Sequence, residues 1–280
     1  MRLCVLISFA WGAEFCERVI REHDEWDLIL DSGAFTNWST GKEVVALDDY
    51  CAFLGECGSR FGHYLNLDVV GDAAATEDNM RRMQQAGLKP APVFTRGGSA
   101  SRLYGLLREH PLVFVGGISK QVNARAERDY VKQVMSVVRR SGGRAHLLGM
   151  TGFGALSEHK PWSADSSTWS LVGRYGKAPL WDASRRRFII FGPKDKPEPA
   201  HTRILRAYGL DWKGLHSPEG WRAKTKGPGG CVRVAGARSG IRYSRTLQRM
   251  GTRLYLANSP VFSTHETLTA AWEAERALWT

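Results

Sequence analysis

The sequence predicts an α/β barrel that carries one basic insertion. Six strand-like segments between residues 3 and 148 alternate with helix-like segments, which is typical of a parallel sheet. Glycines or carboxylates follow successive strands, as they do at the carboxyl edge of a barrel. The chain has 280 residues, enough for one large barrel or two modest domains. The predicted fold is therefore a TIM (β/α)8-type barrel with a basic, aromatic-rich insertion after the seventh strand.

The strand-like segments are short runs that are apolar or that alternate apolar and polar residues. They cover residues 3–9, 26–30, 64–70, 92–95, 112–115 and 145–148. The helix-like segments have apolar residues at helical spacing. They cover residues 14–23, 48–61, 76–86, 99–109 and 125–140. Thr76 or Asp78 is placed to cap the third of these helices.

The alternation loosens after residue 152, but two further barrel strands are predicted. Residues 162–169 place Asp165 where a seventh strand ends, and residues 254–257 form an eighth strand before a closing helix. Between them, residues 178–181 and 185–191 pair as a hairpin. The predicted domains are a barrel core of residues 1–172 and 254–280, and an insertion of residues 173–253. A doubly wound open sheet is the alternative, but its first turn lacks the GxGxxG phosphate motif.

Positive charge is concentrated in one segment. The net charge of the chain is +11, but residues 174–253 hold 19 basic and 5 acidic residues, and the rest holds 20 basic and 23 acidic residues. Aromatic residues are interleaved with these cations. Because cations neutralise phosphates and rings stack on bases, the segment is predicted to bind nucleic acid. The candidate contacts are Arg185, Arg186, Arg187, Lys224, Lys226, Arg242 and Arg245. A solvated basic surface, or a patch for an acidic protein, is the alternative.

Cysteine usage and hydropathy indicate an intracellular protein. Five scattered cysteines without a CxxC pair are typical of reduced thiols and indicate no zinc site. The apolar start imitates a signal peptide, but no clean cleavage site precedes the charged residues 14–27. No run of about 18 apolar residues is present to span a membrane. We therefore expect a soluble, cytoplasmic protein that has no membrane partner.

The most informative stretch is DSGAFTNW at residues 31–38. It follows a buried-type strand and begins with a carboxylate, a hydroxyl and a glycine. A carboxylate at the carboxyl end of a strand, next to a small residue that lets a flat ligand approach, is the geometry of an α/β active site. An Asx or Ser turn that closes the strand is the structural alternative.

Several short motifs occur in an order that resembles the tRNA-guanine transglycosylase superfamily. They are DSGAF at residues 31–35, Asp68, Arg96-Gly97-Gly98, Gly116-Gly117, Leu148-Gly149 and Asp165, and the resemblance spans about residues 1–170. It is closest to the DpdA-type DNA 7-deazaguanine transglycosylases of bacteriophages and bacterial islands. For a phage protein, the compartment would be the host cytoplasm.

The resemblance implies a TIM barrel that exchanges guanine in a polynucleotide for a 7-deazaguanine, such as 7-cyano-7-deazaguanine, a base related to queuosine. It implies Asp165 as the nucleophile, Asp31 as the general acid/base and Asp68 as the reader of the guanine edge. Phe35 would stack on the base, with Leu148 or Met150 as the opposite wall. The implied substrate-binding residues are Ser32, Gly33, Phe35, Asp68, Arg96, Gly97, Gly98, Gly116, Gly117, Leu148, Gly149 and Met150. No cofactor is expected, because the cysteines lack the spacing of the structural zinc site that tRNA enzymes of this group carry.

The expected partners are DNA and a free 7-deazaguanine base, with tRNA as the alternative polynucleotide; a homodimer is left open. Two other classes remain as alternatives, a non-catalytic nucleic-acid-binding barrel and a glycosidase or N-glycosylase that releases guanine. At the level of single residues, Asp165 could cap a helix and Asp68 could pair with Arg96. His146 and His159 are tempting acid/base groups, but each is more often a strand or surface histidine.

Overall fold

The computed structural model describes residues 2–41, 45–117, 124–195, 201–211, 218–227 and 229–279. The strands in these residues are β1 (Cys4–Ser8), β2 (Asp27–Asp31), β3 (His63–Tyr64), β4 (Val93–Phe94), β5 (Val113–Val115), β6 (Ala145–Leu147), β7 (Ser163–Ser166), β8 (Ala178–Asp182), β9 (Arg187–Phe191) and β10 (Arg253–Ala257). The α-helices are α1 (Ala13–Glu22), α2 (Ala34–Thr40), α3 (Leu47–Cys57), α4 (Ala73–Gln85), α5 (Ala100–Glu109), α6 (Ala124–Ser141), α7 (Phe153–His159), α8 (Leu171–Tyr175), α9 (Thr202–Ala207), α10 (Pro218–Thr225), α11 (Cys231–Gln248) and α12 (Thr264–Arg276).

The predicted α/β class with a parallel sheet is confirmed. Eight strands form one curled sheet in the order β3-β2-β1-β10-β7-β6-β5-β4. All five residues of β1 pair in parallel with β2, and Val5 pairs with Leu256 of β10. The order follows the chain without the reversal that defines a doubly wound sheet, so the strand ends line one continuous edge.

The two outermost strands of this order approach each other through single contacts rather than a ladder. Leu65, directly after β3, forms an isolated parallel bridge with Ala91, which precedes β4. The Asn66 amide donates to the Ala91 carbonyl at 3.0 Å, and the Ala91 amide donates to the Tyr64 carbonyl at 2.8 Å. The sheet is therefore curled far enough to bring β3 beside β4.

The concave face of the sheet holds an apolar core built from alternate strand residues. Its buried members are Cys4, Leu6, Ile29, Leu65, Val93, Leu112, Phe114 and Tyr255. Because side chains alternate along a strand, this set fixes which residues point inward. Ser8 and Asp31 share the parity of Leu6 and Ile29, so they continue the same face at the carboxyl end of β1 and β2.

The strand predicted at residues 64–70 is much shorter in the structure, because side chains bind the backbone that a ladder would have used. The Val93 amide donates to Asn66 Oδ1 at 2.9 Å, and Asn79 donates to the Leu67 carbonyl at 3.0 Å. The Val69 amide donates to Thr76 Oγ1 at 2.9 Å. These bonds fix the irregular segment that carries Asp68.

The helix α4 is capped by Asp72, and the prediction that Thr76 or Asp78 caps it is wrong. Asp72 Oδ1 accepts from the amides of Ala74 and Ala75 at 3.0 and 2.9 Å. Thr76 lies inside the first turn, where its hydroxyl binds the segment after β3 instead. An Asp at the N-cap satisfies orphan amides and favours the positive end of the helix dipole.

The described chain divides into two compact units. The first is Met1–Asp165 with Gly251–Ala257, and the second is Ser166–Met250 with Asn258–Thr280. In the second unit, β8 and β9 form the predicted antiparallel hairpin, and α11 packs against β8 and α12. The Trp181 amide donates to Ser239 on α11 at 2.7 Å. The assignment of residues 173–253 to nucleic-acid docking stays a prediction.

Within the described ranges, no helix is both long and apolar enough to cross a lipid bilayer.

Candidate functional site

Three aspartates lie at the carboxyl edge of the curled sheet. Asp31 is the last residue of β2, Asp165 is the third residue of β7, and Asp68 lies in the segment after β3. The three come from distant parts of the sequence, and the parallel topology brings them to one edge. The first unit alone therefore contains the predicted pair of acidic side chains and the predicted base reader.

The surroundings of Asp31 stabilise the protonated form of its carboxyl more than water does. Burial raises the pKa of its carboxyl to about 7, the Gly33 amide opposes this shift, and the charges of Asp68 and Asp165 raise the pKa further. The Gly33 amide donates to Asp31 Oδ1 at 2.6 Å. The charges of Asp68 and Asp165 both act on Asp31, so the ionisation of Asp31 depends on these two carboxyls.

Asp68 is oriented by the residue that follows Asp31. Ser32 is fully buried, and its hydroxyl donates to Asp68 Oδ1 at 3.1 Å. Burial raises the pKa of Asp68, and the bond from Ser32 opposes the shift. The ion pair with Arg96 that the sequence left open is not what orients Asp68: the described contacts of Arg96 are with Tyr130 and the Ala126 carbonyl.

Asp165 receives two bonds on one oxygen. The Gly149 amide donates to Asp165 Oδ1 at 2.7 Å, and His146 Nε2 lies 3.3 Å from the same atom. His146 Nδ1 lies 2.7 Å from Ser163 Oγ. If Nε2 carries the proton toward the carboxylate, Nδ1 accepts from Ser163, which fixes both the tautomer and the ring. Asp165 lies inside β7 and is not a helix cap.

His146 is a fully buried strand residue packed among aromatic rings. Its ring lies 4.6 Å from that of Phe114, at an interplanar angle of 29°, and 5.8 Å from that of Tyr255. The reading of His146 as a strand histidine is thus confirmed, but it also contacts a candidate catalytic group. Sequence reasoning missed this contact, because it depends on β6 and β7 being neighbours in the sheet.

Gly33 provides the tight turn that presents Asp31. Its φ is +87°, in the left-handed region that favours glycine. A Cβ at this position would lie 2.5 Å from Ala10 Cβ and 2.6 Å from the Ala10 amide nitrogen. Gly33 therefore allows the backbone after β2 to pass directly against the segment after β1.

An exposed aromatic pair begins immediately beyond this turn. Phe35 and Trp38 lie on α2 with 54% and 56% of their surfaces exposed, and their ring centroids are 5.8 Å apart. Large apolar rings that remain exposed to water offer a stacking surface for a flat ligand. Phe35 was expected in this role, whereas Trp38 was not.

The glycines after β4 and β5 form a connected pair of turns around Arg96. Gly117 has a φ of +74°, and a Cβ there would lie 2.6 Å from Arg96 Cβ. Tyr130 donates to the Gly116 carbonyl at 3.0 Å, and the Arg96 guanidinium lies 4.5 Å above the Tyr130 ring. Gly97 and Gly98 close the turn after β4, where the Gly98 amide donates to the Thr95 carbonyl at 3.2 Å.

The wall formed by the loop after β6 lies beside these turns. A Cβ on Gly116 would lie 3.8 Å from Leu148 Cδ1, so the two positions face each other. Leu148 is partly buried against the core of the sheet, and Met150 is buried. Leu148 and Met150 were the two residues expected to form the wall opposite Phe35, and Leu148 is the one that faces a glycine turn.

Two buried polar atoms of this region have no hydrogen-bond partner among the described residues. They are Ser8 Oγ and Arg96 Nε. Ser8 pairs with Asp31 across the ladder from β1 to β2. Because an unpaired buried polar group costs about 1–3 kcal/mol, each of these atoms calls for a partner such as a water molecule, an ion or a bound ligand. Sequence reasoning missed Ser8, which reads simply as the end of an apolar strand.

The predicted nucleic-acid contacts all lie in the second unit. Arg185, Arg186 and Arg187 are exposed in and after the turn from β8 to β9, where Asp182 accepts from the amides of Ser184 and Arg185. Lys224 and Lys226 are also exposed, at and just after the end of α10. Arg242 and Arg245 lie on α11, where Arg242 pairs with Glu275 at 2.9 Å.

The five cysteines are free thiols, of which Cys4 and Cys16 are buried in the first unit. Burial raises the pKa of both thiols to about 12, so neither is a thiolate at neutral pH. Neither of these two thiols is therefore a candidate nucleophile. No protein-family model matches this sequence, and no curated protein is significantly similar to it.

Proposed function

We propose that this protein is a DNA-guanine transglycosylase that exchanges guanine in DNA for a 7-deazaguanine base. The observation that carries the proposal is the position of three aspartates at one edge of the curled sheet, where burial and the charges of Asp68 and Asp165 raise the pKa of Asp31 to about 7. We also propose that the curled sheet is a complete TIM barrel, with the bridge from Leu65 to Ala91 as its closing contact.

The reaction needs two displacements at the anomeric carbon to keep the β configuration. Asp165 attacks C1′ of the deoxyribose, the bond from C1′ to guanine N9 breaks, and its electron pair goes to the base. Protonated Asp31 gives its proton to the departing guanine. The new base then loses its N9 proton to Asp31 and attacks C1′, which releases the Asp165 carboxylate. Protons and bonds balance over the cycle without another reactant.

The split of roles between the two carboxyls follows from their surroundings. A general acid that works near neutral pH needs a pKa near 7, which burial gives to Asp31. Asp165 instead accepts from the Gly149 amide, with His146 beside the same oxygen. These bonds orient one oxygen and leave the other to reach the sugar.

Base recognition is assigned to Asp68 and to the exposed rings. A carboxylate accepts from the N1 and N2 hydrogens of guanine, which adenine does not present in the same pattern. The Ser32 hydroxyl donates to Asp68 Oδ1, and the exposed rings of Phe35 and Trp38 provide a surface on which the base stacks. In a duplex the guanine must first be flipped out, and stacking on these rings offsets part of the lost pairing.

The test is incorporation of labelled guanine into a defined polynucleotide. The protein is incubated with single-stranded DNA, duplex DNA or tRNA, and both incorporated label and released base are measured. We expect incorporation into DNA. Incorporation into tRNA alone would make the protein a tRNA enzyme, and release without incorporation would make it an N-glycosylase. Salt-sensitive binding without either reaction would identify a non-catalytic barrel.

Replacing His146 tests a positioning role. We expect His146→Phe, which keeps a ring against Phe114 but removes both nitrogens, to slow covalent adduct formation about tenfold with little change in KM. His146→Gln keeps a donor toward Asp165 and should recover most of the rate. Single-turnover kinetics of both variants measure this. Equal loss in the two variants would reduce His146 to a packing role.

A further inference from the structure

The second unit contains a groove of about 550 Å³ whose lining is rich in arginine. Five arginines line it, and Asp182 and Glu275 are its acidic residues. The arginines are Arg185, Arg203, Arg242, Arg245 and Arg249. They come from the hairpin of β8 and β9, from α9 and from α11, so the fold gathers cations that are far apart in sequence.

Glu275 neutralises only the inner part of this groove. Its side chain is buried, and it pairs with Arg238 at 2.7 Å and with Arg242 at 2.9 Å. Arg242 also donates to the Ala207 carbonyl at 2.9 Å and lies over the Tyr208 ring at 4.6 Å. The guanidinium N–H groups of Arg242 are used by Glu275 and Ala207, and the plane of the guanidinium packs on Tyr208. Arg242 therefore links α11 to α9 and α12 and forms part of the groove lining.

The outer part of the groove holds more positive charge than its carboxylates match. Arg203 and Arg249 are exposed, and their side chains have no ion-pair partner in the described part of the chain. Arg245 lies 3.8 Å above the Trp279 ring. Burial lowers the pKa of Arg245, and the neighbouring charge of Arg249 lowers it further. An anion in the groove would relieve this repulsion.

The geometry suits phosphate oxygens. A guanidinium whose face rests on an aromatic ring keeps its edge N–H groups free, and that edge matches a phosphate in a bidentate way. Arg249 directly follows the last residue of α11 and lies one helical turn beyond Arg245, about 6 Å along the helix axis. Arg185, which lies 3.9 Å from Asp182, extends the row onto the hairpin, where Arg186 and Arg187 are also exposed. A row of cations that continues beyond the groove favours an extended polyanion over a single ion.

We propose that this arginine groove binds the phosphodiester backbone of a nucleic acid strand, through Arg203, Arg245 and Arg249 with Arg185 at its end. The choice of a strand as ligand rests on the proposed function. The groove acts without reading base sequence, since its donors meet phosphates and its rings are covered by arginines.

The test compares two double variants that remove the same charge. Arg203→Gln with Arg249→Gln alters the groove, and Arg139→Gln with Arg140→Gln alters an exposed pair at the end of α6 in the first unit. Binding of a labelled single-stranded oligodeoxynucleotide is measured by anisotropy between about 50 and 200 mM salt. We expect the groove variant to lower the slope of log K against log salt by about 1.4, or about 0.7 per phosphate contact. The control should keep the wild-type slope.

Equal slopes in the groove variant and the control would overturn the proposal. Inorganic phosphate that binds the groove while the oligodeoxynucleotide shows no groove-dependent slope would also overturn it, in favour of a small phosphorylated ligand. Arg249→Glu alone, which changes one exposed side chain, should weaken binding further than Arg249→Gln and guards against a folding defect in the double variant. If the groove variant has a smaller salt slope but the wild type exchanges no base, the groove proposal holds and the proposed reaction fails. If the wild type exchanges bases but the groove variant keeps the wild-type slope, the reaction holds and the groove proposal fails.

Discussion

Asp165→Asn is expected to lower guanine exchange at least about a thousandfold, because an amide cannot form the covalent bond to C1′. The substitution keeps the shape of the side chain, and its carbonyl can still accept from the Gly149 amide, which lies 2.7 Å from Asp165 Oδ1. The melting temperature should therefore change little. Label incorporation and trapping of the denatured protein with DNA attached both measure the effect.

Asp129→Asn is a suitable control for this variant. Asp129 is an exposed residue of α6, where it lies at 4.0 Å from Arg125. Its replacement should leave exchange and adduct formation at the wild-type level. Exchange that persists in Asp165→Asn would assign the nucleophile elsewhere and remove the central step of the proposed reaction.

Asp31→Asn is expected to slow guanine departure by about 10²- to 10⁴-fold, the usual contribution of a general acid. In the wild type, the pKa of Asp31 is raised to about 7, so the proton donor is fully present only below that pH. Adduct formation should fall about tenfold per pH unit above pH 7. In Asp31→Asn this dependence near pH 7 should vanish, which single-turnover rates across pH would measure.

The same raised pKa predicts a stability change that does not depend on activity. The unfolded pKa of Asp is about 3.9, so the folded state binds more protons between about pH 4 and 7 and loses stability as the pH rises through that window. At pH 8, Asp31→Asn should be more stable than the wild type by about 1–3 kcal/mol, and at pH 4 the difference should disappear. Equal gains at both pH values would contradict the assigned pKa.

The alternation of strands and helices predicted most of the first unit, because period-2 and helical patterns are local. The helix α11 was missed for a local reason as well. Gly236 and Gly240 lower its helix propensity, and packing requires the first of them: a Cβ on Gly236 would lie 3.1 Å from the Trp169 carbonyl. Tertiary contact outweighs propensity at this point.

The residues of the candidate site that lie at strand ends could be predicted from the sequence. The contacts between residues on adjacent strands or helices could not. Asp31 follows an apolar run, so its place at the edge of the sheet can be inferred from sequence. The contact between His146 and Asp165 requires β6 and β7 to be adjacent, and the grouping of Arg203 with Arg249 requires α9 to meet α11. Such contacts are set by the fold, and no spacing in the sequence encodes them.

The placement of β10 between β1 and β7 has a consequence for how the polypeptide matures. Val5 pairs with Leu256, so the middle of the sheet joins residues 251 positions apart. During translation, β1 and β7 have no shared neighbour until the ribosome has passed residue 257 and released that segment. We expect the nascent sheet to stay open until then, which makes its assembly a late step and a natural point for chaperones to act.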